Sequence, residues 1–516
     1  MPEQPPTSRI SRSARLGGLV AGQSARWVGT RAANVVRSPE RADAATGERA
    51  AALARELVEQ LGQMRGAAMK VGQVLSTIDF TALPPEEREQ FKQTLGKLRD
   101  DVPPLPFKQV EKLLREELGG KPSTVFSDFE EQAFAAASIG QVHRAVTLAG
   151  DPVAVKVQYP GVAEAVDTDL RNLTLLLPLV KRLAPGLDVK AVYAELRERI
   201  AEELDYELEA QNQRAVARAH RGHPFAHVPE VHTELSSRRV LVTDLLTGAR
   251  FEAVKALDEP TRDHFAEIVF RFYFGLVYHT GRVSGDPHPG NYLRLGDGRV
   301  GFLDFGLMRV LGRDYLDREA AVAVAVDAGD AQGVHAVLAD LGYLPEPDDF
   351  DPEELLEQVA AMGEWYLTPG ERRLSPAYVA ELIDSTSGPR SPWFAQMRRQ
   401  TLPPQALLLR RMEGLVLSAL GELRGCADWN AIAREYYAGA PPATPLGEAE
   451  AAFWPSRARI TRSASGDSSI SRERRPSAAA TAPSVPEPAN GSRHRSPGRV
   501  DACTMRRTIP SGFCVG

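Results

Sequence analysis

The chain has 516 residues, 43% of them hydrophobic and 25% charged, with a formal net charge of −6, a balance that fits a globular protein of two or more lobes. The charge is uneven: residues 1–50 carry +4 and residues 453–516 carry +7, which leaves −17 for the middle. An acidic folded part argues against a nucleic-acid partner. The three cysteines, Cys426, Cys503 and Cys514, cannot build a disulfide framework, and a reducing, cytoplasmic setting is the expectation. The best apolar runs, Leu173–Val180 and Leu407–Leu423, are interrupted by Pro178 and by Arg410, Arg411 and Glu413, so no transmembrane helix is expected.

Residues 1–45 are rich in Arg and Ser and poor in acids. They read as a flexible basic arm, with a transit peptide or an interfacial helix as other readings of the same composition. The arm is the candidate for peripheral contact with anionic lipid. From Thr46, apolar residues recur at helical spacing through Ala51, Leu53, Leu57, Leu61, Met64, Ala68, Val71 and Leu75. One long amphipathic helix is therefore expected, ending before Leu83-Pro84-Pro85. Lys70 and Gln73 share one of its faces. Further helices at Pro85–Leu98 and Phe107–Leu118 complete a helical extension over residues 46–120.

Over residues 121–248 the pattern turns to strands with inserted helices. The stretch from Ala135 to Ala145 leads through Ala149-Gly150-Asp151 into Val153-Ala154-Val155-Lys156. Two strands joined by a turn, the second carrying V-A-V-K, match the start of a kinase small lobe, in which the lysine bridges nucleotide phosphates. A kinase has a glycine-rich loop at the first turn; here Ala135, Ala136, Ala137 and Ser138 fill it and Gly140 remains. Such a loop is stiffer and cradles phosphates differently. Helices are expected at Val162–Lys181 and Val189–Gln213. The second contains Glu203, Asp205 and Glu209, and one of these acids pairs with Lys156: Glu209 is preferred, Glu203 the alternative. The strand Arg239–Thr243 ends in Thr243-Asp244, where a kinase hinge meets adenine.

Residues 249–454 form a mostly helical lobe that carries two acidic motifs. Asn291 lies five positions after Asp286, and Asp304-Phe305-Gly306 begins thirteen residues beyond Asn291. This is how a kinase places a base and two metal ligands around a nucleoside triphosphate. Asp286 is the candidate catalytic residue, and Asn291 and Asp304 are the candidate Mg²⁺ ligands. A hairpin turning at Gly296-Asp297-Gly298 carries the last two toward one spot. Ser284-Gly285 replaces the His-Arg that precedes the aspartate in an ordinary protein kinase, and Ala-Pro-Glu is missing, so the activation segment is short or absent. Beyond about Pro455 the composition is that of a disordered tail.

Together these motifs resemble the UbiB family of atypical, protein-kinase-like ATPases. The K-x-G-Q motif is Lys70-Val71-Gly72-Gln73, the Ala-rich loop is Ala135–Gly140, the nucleotide lysine is Lys156 and the E-x-D pair is Glu203 and Asp205. The catalytic loop D-P-H-P-G-N is Asp286–Asn291, and the metal-binding D-F-G starts at Asp304. The resemblance implies an α+β, protein-kinase-like two-lobe fold with an N-terminal helical extension. It implies that Lys70 and Gln73 lie over the cleft with Glu203 and Asp205, which disfavours phosphorylation of a protein in trans. It implies ATP and Mg²⁺ as cofactors, and a regulatory role toward a lipid or an isoprenoid-quinone precursor or its enzymes. The expected activity is ATP hydrolysis or small-molecule phosphoryl transfer; the alternative is a nucleotide-binding scaffold without chemistry. An aminoglycoside-phosphotransferase-like kinase shares the catalytic loop but lacks the K-x-G-Q helix.

Overall fold

The computed structural model describes Arg41 and residues 51–56, 105–137, 139–183, 193–194, 197, 200–202, 204–388 and 391–454. Lys70, Gln73, Ser138 and Glu203 lie outside the described residues, as do nearly all of the basic arm, the K-x-G-Q helix and the tail.

The first lobe is built on a twisted antiparallel sheet. Helix α1 (Phe107–Leu118) precedes strands β1 (Phe126–Phe129), β2 (Ala135–Ala137), β3 (Gly140–Thr147) and β4 (Pro152–Gln158). Helices α2 (Val162–Leu183) and α3 (Tyr206–His220), the short strand β5 (Ala226–His227) and strand β6 (Val240–Asp244) follow. The hydrogen-bonded order is β1-β3-β4-β6, with β2 paired to β3. Alternation along β4 sends Val153, Val155 and Val157 into a core with Val240 and Val242 of β6, and there Val110, Leu113 and Leu114 of α1 cover them. Because the side-chain period of a strand is two, Ala154 and Lys156 take the other face. The β3–β4 turn needs a left-handed residue, and Gly150 supplies it with φ 96°.

The second lobe starts with β7 (Gly248–Arg250), α4 (Phe251–Lys255) and α5 (Glu259–Thr280). Strands β8 (Arg282–Ser284), β9 (Tyr292–Leu295), β10 (Val300–Phe302) and β11 (Met308–Val310) come next. The longer helices that follow are α6 (Arg313–Asp327), α7 (Ala331–Leu341), α8 (Pro352–Met362), α9 (Pro376–Ser387), α10 (Pro404–Leu423), α11 (Trp429–Tyr437) and α12 (Pro445–Phe453). Helix α5 is the axis of this lobe and is buried on nearly every side from Phe265 to Val277, as a central helix must be. Its Phe272 stacks on Phe302 of β10 at 3.6 Å between ring centroids, so the strand leading to Asp304 rests on the core.

Two differences from the sequence expectation have physical causes. The helix expected over Val189–Gln213 is broken at Leu204-Asp205, because the Asp205 carboxylate accepts from the Glu207 and Leu208 amides and so caps a new helix at Tyr206. Asp205 and Glu209 therefore do not lie side by side on one helix face. Helix α12 had no counterpart among the expected helices; Thr444 caps it through the Gly447 amide. After Gly306 the chain makes only strand β11 before α6 begins at Arg313, so the activation segment is short.

Candidate functional site

Strand β4, helix α3 and the β9–β10 hairpin bring one residue each to a common point. Lys156 Nζ donates to Glu209 Oε1 at 2.8 Å and Oε2 at 2.9 Å. Glu209 is 4% exposed and the lysine side chain 22%, so the pair is buried on the protein side and open on the other. The cap at Asp205 sets the start of α3, which puts Glu209 in its first turn. Burial pulls the Lys156 pKa down, but the charge of Glu209, with smaller contributions from Tyr206 and Asp304, raises it above the ordinary lysine value. The ammonium also lies 4.8 Å from the centroid of the Tyr206 ring, a cation–π contact within range.

Asp304 arrives from the other lobe. Phe302 pairs with Tyr292 across β9 and β10, and the Leu303 amide donates to the Asn291 carbonyl at 3.1 Å. Asn291 and Asp304 thus sit at the same end of the hairpin. The Asp304 carboxylate accepts from the Gly306 amide at 2.9 Å. A Cβ on Gly306 would lie 3.4 Å from Asp304 Oδ1 and 3.8 Å from the Glu209 carboxyl, so Gly306 packs between the aspartate and the Lys156–Glu209 pair. The buried Phe305 anchors this turn in the core, while its carbonyl accepts from Asn212 of α3 at 3.1 Å.

The catalytic loop follows β8. Asp286 and Asp304 both raise the pKa of Tyr273, a group that burial raises first. His288 is used locally: its ring accepts from the Gly290 amide and caps the turn at Pro289–Asn291. Tyr292 donates its hydroxyl to the Pro287 carbonyl at 2.5 Å. These bonds hold the loop from within.

The alanine-rich segment is a tight hairpin. Ala135 pairs with Val142, Ala136 with Gln141 and Ala137 with Gly140. A Cβ on Gly140 would lie 2.3 Å from the Val157 carbonyl and 3.0 Å from the Tyr206 hydroxyl. The glycine is thus required by the close approach of β4. At the hinge, Thr243 pairs with Ala154 in the sheet. The Asp244 carboxylate is held by His232 at 2.9 Å and by the Glu230 amide at 3.2 Å. The Asp244 and Leu245 amides donate to Glu230 and Pro152 carbonyls.

The residues present fit Mg-nucleotide. Magnesium is a hard cation that takes one or two protein oxygens and keeps the rest for water and phosphate, and Asn291 and Asp304 offer oxygens of that kind. A protonated lysine fixed beside them meets phosphate. Among the described residues no group of three or more His, Cys, Asp or Glu side chains is arranged to hold a metal. His143 is buried in the first-lobe sheet, and His279 stacks on Trp454 at 4.7 Å between centroids.

Sequence reading missed two residues here. Tyr206 lies beneath Lys156, and Arg411 of α10 reaches the catalytic loop: its Nε donates to the Gly285 carbonyl at 2.7 Å and its Nη2 lies 3.9 Å from Asp286 Oδ1. The available signal was a pair of adjacent arginines in a mostly apolar helix.

The comparisons with known proteins agree with the kinase-like fold. A family model described as the ABC1 atypical kinase-like domain matches residues 97–338. The chain is 33% identical to the mitochondrial atypical kinase COQ8B of Rattus norvegicus, over 71% of this chain and 69% of that protein. It is 30% identical to the mitochondrial atypical kinase COQ8 of Saccharomyces cerevisiae, over 66% of this chain and 67% of the relative. It spans only 54% and 48% of the Danio rerio and Caenorhabditis elegans relatives. The solved structure of the Rv3197–erythromycin complex from Mycobacterium tuberculosis matches at 30% identity with a TM-score of 0.56, covering 77% of this chain and 98% of that one. Kinase-like lobes, the lysine–glutamate pair and these relatives agree, and the chain belongs to the ABC1 family of COQ8/AarF/UbiB-type atypical kinases.

Proposed function

We propose that the protein is a Mg²⁺-dependent, ATP-using enzyme, an ATPase or a small-molecule phosphotransferase, with a regulatory role in quinone or lipid metabolism. The observation that carries this reading is the Lys156–Glu209 pair with Asp304 acting on the same ammonium. Mg-ATP, when bound, would supply the phosphoryl group, and the metal's charge would neutralise its oxygens. The chain's own part is positioning and charge. Glu209 engages Lys156 from the protein side, so the exposed side of the ammonium is left for phosphate. Asn291 and Asp304 present their oxygens from one end of a rigid hairpin. Asp286 takes the proton from the attacking water or hydroxyl. The link to quinone or lipid chemistry rests on the family, and a screen for phosphorylated products identifies the acceptor.

The test is ATP turnover by the wild type, Asp304→Asn and Asp286→Asn. Both substitutions are expected to lower kcat by at least about a hundredfold. Equal rates in all three would refute the assignment, and tight Mg-nucleotide binding with no phosphate release from the wild type would select a non-catalytic scaffold.

A further inference from the structure

The catalytic loop lacks the arginine that an H-R-D sequence carries, and its neighbour Gly285 shows why. A Cβ at Gly285 would lie 2.7 Å from Leu307 Cδ2 and 2.7 Å from Leu408 Cδ2. No longer side chain fits while α10 packs there. Leu408 and Arg411 are three apart and share a face of α10. The leucine wedges against the glycine, and the arginine, one turn on, bonds the Gly285 carbonyl and pairs with Asp286. The Gly285 amide donates to the Leu307 carbonyl at 2.8 Å. The residue before the aspartate is therefore held on three sides, and its own missing cation is replaced from 126 positions away.

We propose that Arg411 is the positioning residue of the catalytic loop, fixing the Asp286 carboxylate for proton acceptance, and that the Arg410 network holds Arg411 in place. This rests on the enzymatic reading of Asp286. Arg410 faces the other way along α10. It bonds Glu319 of α6 through a short contact, both oxygens of Glu413 at 2.9 Å and 2.8 Å, and the Tyr343 hydroxyl at 3.3 Å. Glu319 also accepts from the hydroxyls of Tyr315 and Tyr343. A guanidinium bound on both sides by carboxylates has a fixed plane, so the rotation of α10 is set and the adjacent arginine is aimed at the loop. Arg411 and Asp286 are each about one-fifth exposed, so water screens their attraction only in part. The pairing needs no modification of an activation segment, which fits a chain with only six residues between Gly306 and the start of α6 at Arg313.

The experiment compares wild type, Arg411→Gln and Arg411→Lys by Mg-ATP turnover and by amide hydrogen exchange. For Arg411→Gln, kcat is expected to fall about 10–100-fold, as for other residues that orient a catalytic group, while the KM for ATP stays within about twofold because the Lys156–Glu209 pair is untouched. The acid limb of the pH–rate profile moves to higher pH, added guanidinium ion restores part of the rate, and exchange of the amides at 285–291 rises at least about tenfold while that of α5 does not. Loop exchange like the wild type's overturns the proposal. A wild type with no turnover would refute the enzymatic reading, but the exchange measurement would still decide whether Arg411 positions the loop. Should Arg411→Gln fail to fold, Arg411→Lys decides: it keeps the stem and the charge but loses the Nε donor, and unchanged loop exchange again overturns the inference.

Discussion

Lys156 and Glu209 form a pair whose two members differ in exposure, and that difference predicts unequal mutants. Removing the lysine leaves a carboxylate that is 4% exposed without its main partner. Lys156→Ala is expected to cost about 3 kcal/mol, at the low end for a broken buried pair because the lysine side chain is partly open to water. Urea unfolding measures this, and a change under about 1 kcal/mol would show that Glu209 finds another partner or is neutral in the fold. Gly140 makes a second residue-scale prediction. Its would-be Cβ meets β4 backbone rather than the end of a flexible side chain, so the strand itself must move. Gly140→Ala should cost about 1–3 kcal/mol and weaken nucleotide binding measured by titration of Mg-ATP. Unaltered affinity would mean that the hairpin does not touch the nucleotide. The lysine was legible from V-A-V-K and its acid from the acid-rich run downstream, where Glu209 was preferred over Glu203. Tyr206 and Arg411 were not, because nothing local marks a tyrosine at a helix start or an arginine 126 positions away as a neighbour of the site.

At the scale of elements, short polar contacts decide where helices begin and what they hold. The break at Asp205 is one case. Its carboxylate caps α3 with bonds of 3.1 Å and 3.2 Å, so Asp205→Ala is expected to cost about 1 kcal/mol. Fraying of the first turn would also loosen Glu209 from Lys156, and amide exchange at Glu207 and Leu208 would report it. The acid-rich run hid this boundary, since periodicity alone continues through Leu204. Helix α12 is the other case. Arg271, fully buried in α5, bonds Glu267, Glu435 of α11 and Glu450 of α12 at 2.7, 2.8 and 3.0 Å. Arg271→Met is expected to cost at least about 3–5 kcal/mol, because several carboxylates lose one shared cation inside the lobe. Thermal unfolding of this variant against Arg271→Lys separates charge from geometry: lysine restores the charge but lacks the planar fork. A methionine variant as stable as the wild type would show that the carboxylates are already protonated or hydrated. Sequence could not reveal α12 because it is only nine residues long and its anchor is a charge cluster assembled from three helices.

At the scale of the whole molecule, the two lobes were legible from strands giving way to helices and from two motifs at a kinase-like interval. What periodicity could not give was the set of buried polar groups that close each lobe, and buried histidines are among them. Burial pushes His143 below the usual histidine pKa, against weaker upward pulls from the Glu130 carbonyl and carboxylate. Its ring is bonded on both sides, Nδ1 to the Glu130 carbonyl at 2.9 Å and Nε2 to Gln141 at 2.9 Å, and a second proton breaks that chain.

Burial, with His220 alongside, lowers His223 to about 3, and Glu450 opposes this only in part. Both groups titrate near 6.5 once the chain is unfolded. Below that pH the unfolded state binds protons that the native state refuses, so stability is lost as pH falls through about 6.5. The loss from His223 continues until its folded value near 3. The slope is about 1.4 kcal/mol per pH unit for each such histidine. Glu413, raised by burial above its usual value, acts in the opposite sense, so the comparison has to be made against a variant. His223→Asn keeps a polar side chain near the Ala226 amide, which donates to the ring at 3.2 Å, and removes the titration. Urea midpoints for wild type and His223→Asn between pH 7.5 and 5.5 should converge as pH falls. The advantage of the wild type at pH 7.5 should shrink by about 1 kcal/mol at pH 5.5. Parallel curves over that range would mean that His223 takes up its proton without leaving the fold.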